Sequence, residues 1–410
     1  MNIFNNNYKI LLIFVGLPAS GKSYTSFHIH QYFNWLGIKT NIFNCGNYRR
    51  KLCTNQQDAL FFDNKNKNYV KLRESYLHYA LFDINNFLLK QNGKIAILDA
   101  TNSTKNRREK ITRFFNYFDY NVKLIFIENI TTDQEIINKN IIFKKNSKDY
   151  ENVSIDEMKK DFTKRLDYYK ENYKSIDENE NLNYIKFFDC GKKVLYNNVQ
   201  GYLESMILTF LINFKISSKQ ILITRHGQSE YNLKEKIGGD SDITEEGKKY
   251  GVRLYNYISL RYKPEEIIIF TSNLKRTKNT AKLFLENNYN VFHKDILNEI
   301  NGGICEHLTY EEVAFKYPEI FRKRKENKFH FKYPEGESYK DLINRLKEFI
   351  LELNRIEKPV LIICHNAIVR VLYSYFFSIK HKQIPYVNIP LHSLECISND
   401  SYFYKKEKIL

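Results

Sequence analysis

Short runs of apolar residues alternate along the chain with longer stretches in which apolar positions recur at helical spacing. The first run, Lys9 to Val15, is β-rich and apolar from Ile10 on, the pattern of a strand buried on both faces. A glycine loop follows it, then a helical stretch to about Leu36. Further strands are predicted at Thr40–Phe43, Ile95–Leu98, Val122–Ile127 and Tyr184–Phe188. Helical segments lie between them at Asn68–Gln91, Lys105–Phe118 and Ile155–Asn172. Such alternation predicts an α/β unit, a parallel sheet covered by helices on both faces. A helix over Val199–Phe214 closes this half, and the short polar segment Lys215–Lys219 follows. A second α/β region then opens with strand Gln220–Thr224. It continues through strand Ile267–Phe270, helices Leu274–Leu285 and Tyr339–Asn354, strand Val360–Ile363 and a helix after His365. The pattern predicts two domains, residues 1–218 and 219–410, with no internal repeat. Asn/Lys-rich patches such as Asp63–Asn68 read as loops.

Composition narrows the class. With 410 residues, 43% of them hydrophobic and 15% aromatic, the chain can bury more than one core and is not of disordered type. The net charge of +17 points to anionic partners or to a lysine-solvated surface. No basic segment alternates with stacking aromatics as nucleic-acid modules do. Six cysteines without a CxxC pair argue against a zinc or redox motif and fit a reducing compartment. The apolar start lacks a basic leader and runs straight into the glycine loop, so it reads as a strand rather than a signal peptide. No uncharged apolar run reaches membrane-spanning length, and a cytoplasmic location is expected.

Two places carry chemistry. Gly16-Leu-Pro-Ala-Ser-Gly21-Lys22-Ser23 matches the phosphate-cradling pattern G-x-x-x-x-G-K-[ST] between a buried strand and a helix. The glycines let backbone N–H groups wrap phosphates, and the helix N-terminus adds positive potential. Lys22 would reach the β- and γ-phosphates, and the Ser23 hydroxyl would bind Mg²⁺. Strand Ile95–Leu98 ends in Asp99, a position that faces the ligand crevice of a parallel sheet. Asp99 would hold Mg²⁺, through water or directly, or act as base on an attacking hydroxyl; alternatively Asp99 or Asn102 caps the next helix. Three arginine contexts, Arg49-Arg50, Arg73 and Arg107-Arg108, suit a sugar-phosphate clamp because the guanidinium fork matches a phosphate dianion.

The second place is Ile221-Leu-Ile-Thr-Arg225-His226-Gly227, a strand running into Arg-His-Gly. Far downstream, Val360-Leu-Ile-Ile-Cys364-His365-Asn366 is a second strand ending in histidine. Two histidines at the carboxyl ends of adjacent strands can converge on one phosphate, one as nucleophile and one as transition-state stabiliser. Arg225 and Arg276 would neutralise the equatorial oxygens, and Glu299 is the candidate acid for the leaving oxygen.

These residues resemble those of the bifunctional 6-phosphofructo-2-kinase/fructose-2,6-bisphosphatases. The likeness runs from about Tyr8 to about Lys406 through GLPASGKSY, NWLGIKTNIFNCGNYRR, ILDATNST, DFTKRLDYY, RHGQSEYNLKEKIGGD, TSNLKRT, LNEINGG, YPEGESY and ICHNAIVR. The resemblance implies a P-loop NTPase-like domain followed by a histidine-phosphatase, phosphoglycerate mutase-like domain. It implies synthesis of fructose 2,6-bisphosphate from ATP and fructose 6-phosphate, and its hydrolysis through a phosphohistidine, to balance glycolysis and gluconeogenesis. Gly16, Leu17, Pro18, Ala19, Ser20, Gly21, Lys22, Ser23 and Tyr24 would hold ATP. Arg49, Arg73, Thr101, Arg107, Lys145, Arg165 and Tyr169 would hold fructose 6-phosphate, with Asp99 the active-site carboxylate. His226 would accept the phosphoryl group, Glu299 donate the proton and His365 serve as second histidine. Arg225, Asn232, Gly238, Arg276, Tyr310, Arg324, Lys328, Tyr339, Asn366 and Arg370 would line the bisphosphate site. Mg²⁺ with ATP in the front half, no cofactor in the rear half, and a homodimer without nucleic-acid or membrane partners complete what the resemblance implies.

The chain departs from the family at Thr131, where Cys is usual, at Gln228 for Glu, at Asn366 for Gln, and at His307 for an acidic residue. The first bears on kinase rate and the others tune the phosphatase. The long regulatory extensions of some relatives are not expected here, and regulation by phosphorylation there is not carried over. Two other functions fit parts of the pattern: a nucleic-acid end-processing kinase–phosphatase, and a scaffold with only one active half. The former normally uses an aspartate nucleophile where this chain presents Arg-His-Gly.

Overall fold

The computed structural model describes residues 8–52, 59–117, 121–143, 149–150, 153–215, 219–399 and 404–410, and Lys145 lies outside them. The chain divides into two compact units, residues 1–216 and 217–410.

The first unit runs β1 (Lys9–Val15), α1 (Lys22–Trp35), β2 (Thr40–Asn44), α2 (Cys45–Leu52), α3 (Lys67–Leu89), β3 (Ile95–Asp99) and α4 (Lys105–Tyr117). It continues with β4 (Val122–Ile130), α5 (Gln134–Phe143), α6 (Ile155–Lys170), β5 (Tyr184–Phe188), β6 (Lys193–Asn197) and α7 (Tyr202–Asn213). The sheet order is β2-β3-β1-β4-β5-β6. β1 is buried from Ile10 to Val15, as a central strand covered on both faces must be. α3 packs onto the sheet through Leu77, Ala80, Leu81, Ile84 and Leu88, spaced at three and four residues. The sheet is parallel from β2 to β5, but β6 pairs antiparallel with β5. The five expected strands thus form the parallel sheet, and β6 is an added edge strand the pattern did not announce. The link Asp189–Lys192 is far too short for a crossover, so the chain can only turn back. The closing helix starts at Tyr202 rather than Val199, behind Gly201 at φ 128°.

The second unit begins with β7 (Ile221–Arg225), α8 (Glu230–Leu233), α9 (Glu245–Ser259), β8 (Ile268–Thr271), α10 (Lys275–Thr280), α11 (Lys282–Glu286) and β9 (Asn290–His293). There follow α12 (Tyr310–Lys316), α13 (Pro318–Glu326), α14 (Tyr339–Arg355), β10 (Val360–Cys364), α15 (Asn366–Phe376), β11 (Leu394–Asn399) and β12 (Tyr404–Lys408). The order is β12-β11-β7-β10-β8-β9, with β11 and β12 antiparallel additions. β10 is buried along its whole length between β7 and β8. The single helix expected over Leu274–Leu285 is two helices that meet at Ala281. The buried Thr280 hydroxyl donates back to the Arg276 carbonyl at 2.7 Å, a bond that bends helices, and accepts from Gly227 N at 2.8 Å. The bend thus ties the turn after His226 to the segment that carries Arg276.

Candidate active sites

In the first unit β1 feeds the glycine loop. Gly16 has φ 137°, and a side chain there would put its Cβ 2.4 Å from the Asn129 carbonyl, so only glycine fits. Gly16 N donates to Thr101 O at 2.9 Å, which fastens the loop to the segment after β3. The buried Lys22 ammonium lies within the loop, donating to Gly16 O at 2.9 Å and Leu17 O at 2.6 Å, with Ser20 Oγ at 3.4 Å. Ser23 is half-buried one residue into α1. The Tyr24 ring packs on His28 and Phe214. The Thr131 hydroxyl donates to Ser20 O at 3.3 Å and the Asn140 amide to Ala19 O at 2.8 Å, buttressing the loop from β4 and α5.

Asp99 is buried at the carboxyl end of β3, with Oδ2 accepting from the Asn44 amide at the end of β2. The α4 cap bond comes from Thr104, whose hydroxyl accepts from Arg107 N at 3.3 Å. Asn102 is instead buried, donating to Phe14 O at 2.8 Å and accepting from Arg107 Nε at 3.2 Å. Neither Asp99 nor Asn102 supplies that bond.

The arginines separate into different roles. Arg49 and Arg165 both lie over the Phe62 ring, at 5.5 and 3.7 Å from its centroid, and the Tyr169 ring stands 5.7 Å from the same ring. Arg73 lies over Phe61 and donates to its carbonyl. Arg107 pairs with Glu74 at 2.7 Å. Burial, then the Arg165 charge, lowers the pKa of Arg49; burial lowers that of Arg73, with a further push from Arg107. Like charges held this close in partly buried surroundings suit a bound anion. Arg108 is a correction. It is fully buried and bridges Glu180 with Nε at 2.8 Å and Nη2 at 2.5 Å, so it holds the fold rather than a ligand. Arg50 joins Arg49 on Asp149. Phe62 and Asp149 belong to no motif, and only packing reveals them.

In the second unit the two histidines meet because β7 and β10 pair in register, Arg225 beside Cys364. Their rings are 5.2 Å apart, and His226 N donates to Cys364 O at 2.9 Å. His226 Nδ1 lies 2.7 Å from Gly227 O. A carbonyl can only accept, so Nδ1 carries the proton and Nε2 keeps its lone pair. Arg276 Nε donates to His365 Nδ1 at 3.2 Å. His365 therefore carries its proton on Nε2, which donates to Ser272 Oγ at 2.7 Å. Ser272 passes the chain on to Thr277 Oγ1 at 2.7 Å. Burial first, then the charge of Arg276, holds both histidines well below their ordinary pKa, so both are neutral.

Arg276 Nη1 donates to Gly239 O at 2.7 Å and Arg225 Nη1 to Ile389 O at 2.8 Å. Glu299 Oε1 accepts from Ile300 N at 3.0 Å and from Ala367 N at 3.2 Å, in the first turn of α15. That leaves Oε2 for a proton. Asn232 Oδ1 accepts from Ser229 N and Oγ, which leaves its amide N–H groups for a ligand. Gly238 sits at φ 63° where a Cβ would lie 2.2 Å from Glu306 Oε1. The Asn366 Oδ1 is buried without a hydrogen-bond partner. A second basic cluster draws Arg324 from α13, Lys328 from the segment just after it and Arg370 from α15. Arg324 donates to Tyr333 and Tyr310 hydroxyls at 2.6 and 2.8 Å, Arg370 to Tyr339 at 3.1 Å, and Lys328 to Pro385 O at 3.2 Å. Burial, then Arg324 and Arg370, push the Lys328 ammonium down to about 8.

Among the departures, Gln228 accepts from the Thr244 hydroxyl at 3.1 Å, and His307 bonds Tyr231 at 2.9 Å. Several contributors were missed by sequence reading: Ser272, His392, whose Nε2 accepts from Gln228 N at 3.0 Å, and Glu306, which accepts from Gly239 N at 2.6 Å. Ser272 stands inside TSNLKRT, so that string held a signal for it.

Residues 1–218 match the family described as 6-phosphofructo-2-kinase, and residues 221–407 the histidine phosphatase superfamily, branch 1. The 6-phosphofructo-2-kinase/fructose-2,6-bisphosphatase of Aquarana catesbeiana is 38% identical over 98% of this chain and 85% of its own length. The 6-phosphofructo-2-kinase/fructose-2,6-bisphosphatase 4 of Homo sapiens is 39% identical over the same shares. Among solved structures, the alpha-ribazole phosphatase from Shigella flexneri is similar at 18% identity and TM-score 0.42, covering 46% of this chain and 94% of that one.

Proposed function

The chain belongs to the bifunctional 6-phosphofructo-2-kinase/fructose-2,6-bisphosphatase family, and from that premise we propose how its two halves work. The front half transfers the γ-phosphoryl group of ATP to O2 of fructose 6-phosphate. The rear half hydrolyses fructose 2,6-bisphosphate back to fructose 6-phosphate and phosphate. One observation carries the assignment of residues: in each unit the reacting groups stand buried at the carboxyl ends of neighbouring parallel strands, Lys22 with Asp99 in one and His226 with His365 in the other.

In the kinase, Lys22 leaves its loop carbonyls for the phosphates, and Asp99 takes the proton of the attacking hydroxyl or faces the metal. The Ser23 hydroxyl and the Asp99 carboxylate are the hard oxygen donors that Mg²⁺ accepts beside phosphate and water, so the residues fit that ion. Bound there, Mg²⁺ would neutralise charge on the β- and γ-phosphates. Arg49, Arg73, Arg107 and Arg165 clamp the sugar phosphate. In the phosphatase, His226 Nε2 attacks phosphorus while Nδ1–H remains on Gly227 O. Arg225 and Arg276 hold the phosphoryl oxygens, and His365 keeps Arg276 aimed. Glu299 protonates the leaving O2. The same reading supposes a cytoplasmic homodimer; no helix among the described residues is long and apolar enough to cross a membrane. Assay of both reactions on one purified preparation tests the whole, and absence of either activity overturns the bifunctional reading.

Replacing Arg49, Arg73 or Arg107 by alanine should raise the KM for fructose 6-phosphate by roughly ten-fold to a hundred-fold, far more than that for ATP. A lost charge-assisted hydrogen bond costs about 1.5–3 kcal/mol. Equal rises for both substrates in initial-rate kinetics would instead place the arginine outside the sugar site.

Lys328 gives a pH test. Its pKa is pushed down to about 8, so the ammonium is present below that pH and is lost as pH rises through it. The phosphatase kcat/KM, which reports the free enzyme, should therefore fall on the alkaline side of about pH 8. Lys328→Arg should keep the charge and remove that fall. An unchanged alkaline limb in the arginine variant would exclude Lys328 as its source.

A further inference from the structure

We propose that Arg345 and Glu337 form a buckle that positions Glu299 for proton donation, a reading that rests on Glu299 being the acid of the phosphatase. Glu299 sits in the stretch between the short 3-10 turns Asp295–Leu297 and Gly303–Cys305, with no helix or strand of its own to aim it. Arg345, on α14, reaches under the segment just before it. Its Nη1 donates to Asp295 O at 3.1 Å and Ile296 O at 3.3 Å, and its Nη2 to Asn298 O at 2.9 Å. Glu337 grips the segment just after it. Its Oε2 accepts from Asn301 N at 3.0 Å, and its own N–H donates to Asn301 O at 2.9 Å. The two grips are joined to each other: Arg345 Nη2 donates to Glu337 Oε2 at 3.1 Å, and Nε lies 3.1 Å from Oε1. Both side chains are mostly buried, at 21% and 24% exposure, so the pair is only partly screened by water.

The geometry brackets two residues, Glu299 and Ile300. Main-chain groups at 295, 296 and 298 on one side and at 301 on the other are all held by a single ion pair, and Glu299 lies between them. Neither buckle residue bonds to Glu299, so both are positioning residues. This assigns work to the Gly-Glu-Ser string before α14, which the phosphate-binding residues leave unused. In the first step the bond from His226 Nε2 to phosphorus forms and the bond from phosphorus to O2 breaks. The electron pair goes to O2, which takes the Glu299 proton. A carboxyl displaced from O2 by about an ångström leaves that step to an unprotonated alkoxide, and misplacement on that scale costs on the order of a hundred-fold.

The test separates leaving groups. 2,4-Dinitrophenyl phosphate expels a stable phenolate that needs no proton, whereas the sugar O2 does. Glu299→Gln should slow hydrolysis of the bisphosphate and spare that of the aryl ester, which checks the underlying reading. Arg345→Met should then lower kcat for the bisphosphate by roughly ten-fold to a hundred-fold and leave the aryl ester within about three-fold. Glu337→Gln, a milder change, should act in the same direction. Added to Glu299→Gln, Arg345→Met should have no further effect on the bisphosphate. Retained hydrolysis of the aryl ester reports that the phosphatase unit of each variant is folded. Equal losses on both phosphate esters would reduce the buckle to a structural part and overturn the proposal, as would a normal rate on the bisphosphate in both variants. If Glu299→Gln itself hydrolysed the bisphosphate normally, the acid would lie elsewhere, and the buckle would fall with it.

Discussion

Replacing His226 by alanine is expected to abolish hydrolysis of fructose 2,6-bisphosphate, with a loss of about a thousand-fold or more, while synthesis of the bisphosphate continues. The argument rests on the proton inventory of the site. Nδ1–H is committed to Gly227 O, and Nε2 is unprotonated because burial and Arg276 hold the imidazole well below its ordinary pKa. The nucleophile is therefore ready across the neutral range, and its protonated form gains population only as pH falls below that lowered value. Rapid quench with substrate labelled in the 2-phosphate should trap an acid-labile, base-stable phosphate on the protein. The label should vanish in His226→Ala. In Glu299→Gln it should form slowly, since leaving-group protonation fails while the nucleophile is intact. Label on an aspartate, or normal hydrolysis by His226→Ala, would overturn the mechanism and return the nucleic-acid end-processing reading.

Lys22→Met should have the mirror effect: kinase activity falls by on the order of a hundred-fold or more and the phosphatase keeps its rate. The Lys22 ammonium is buried within the curve of the glycine loop and bonded to the loop's own carbonyls. Exchanging those bonds for phosphate oxygens puts a full positive charge where negative charge gathers in transfer. Methionine keeps the length of the side chain and removes the charge. The phosphatase of the same molecule is the internal control for the amount of enzyme, since its residues lie in the other unit. Near-normal synthesis by this variant would mean that Lys22 does not stabilise the transferring phosphoryl group.

Much of this was legible in the residues, for reasons that differ from place to place. A glycine loop between a buried strand and a helix is a local object, so Gly16 to Ser23 announce a phosphate cradle with no knowledge of the rest of the chain. Arg-His-Gly after an apolar strand works the same way. Arg107 and Arg108 were not separable, because consecutive residues on a helix differ by about 100° in direction and the string says nothing of what lies on either side. In the fold Arg107 meets Asn102 and Glu74, while Arg108 turns inward to Glu180. The antiparallel strands β6, β11 and β12 escaped notice for a related reason. Their burial is uneven or slight, so the apolar run that marks a central strand is missing.

The sequence by itself determined the two α/β halves and the glycine loop, and it marked His226, His365 and Glu299 as the candidates for nucleophile, second histidine and acid. Each of these depends on residues within a few positions of one another or on a short string at a strand end. Only the tertiary structure decided which nitrogen of His365 is protonated, because Ser272 and Arg276 meet it across about ninety positions of chain. It alone set Phe62 beneath Arg49 and Arg165, and fastened the Glu299 segment between Arg345 and Glu337. A hydrogen bond needs its partners within about 3 Å and aligned, and strand pairing and helix packing, not proximity in the chain, bring such distant groups that close.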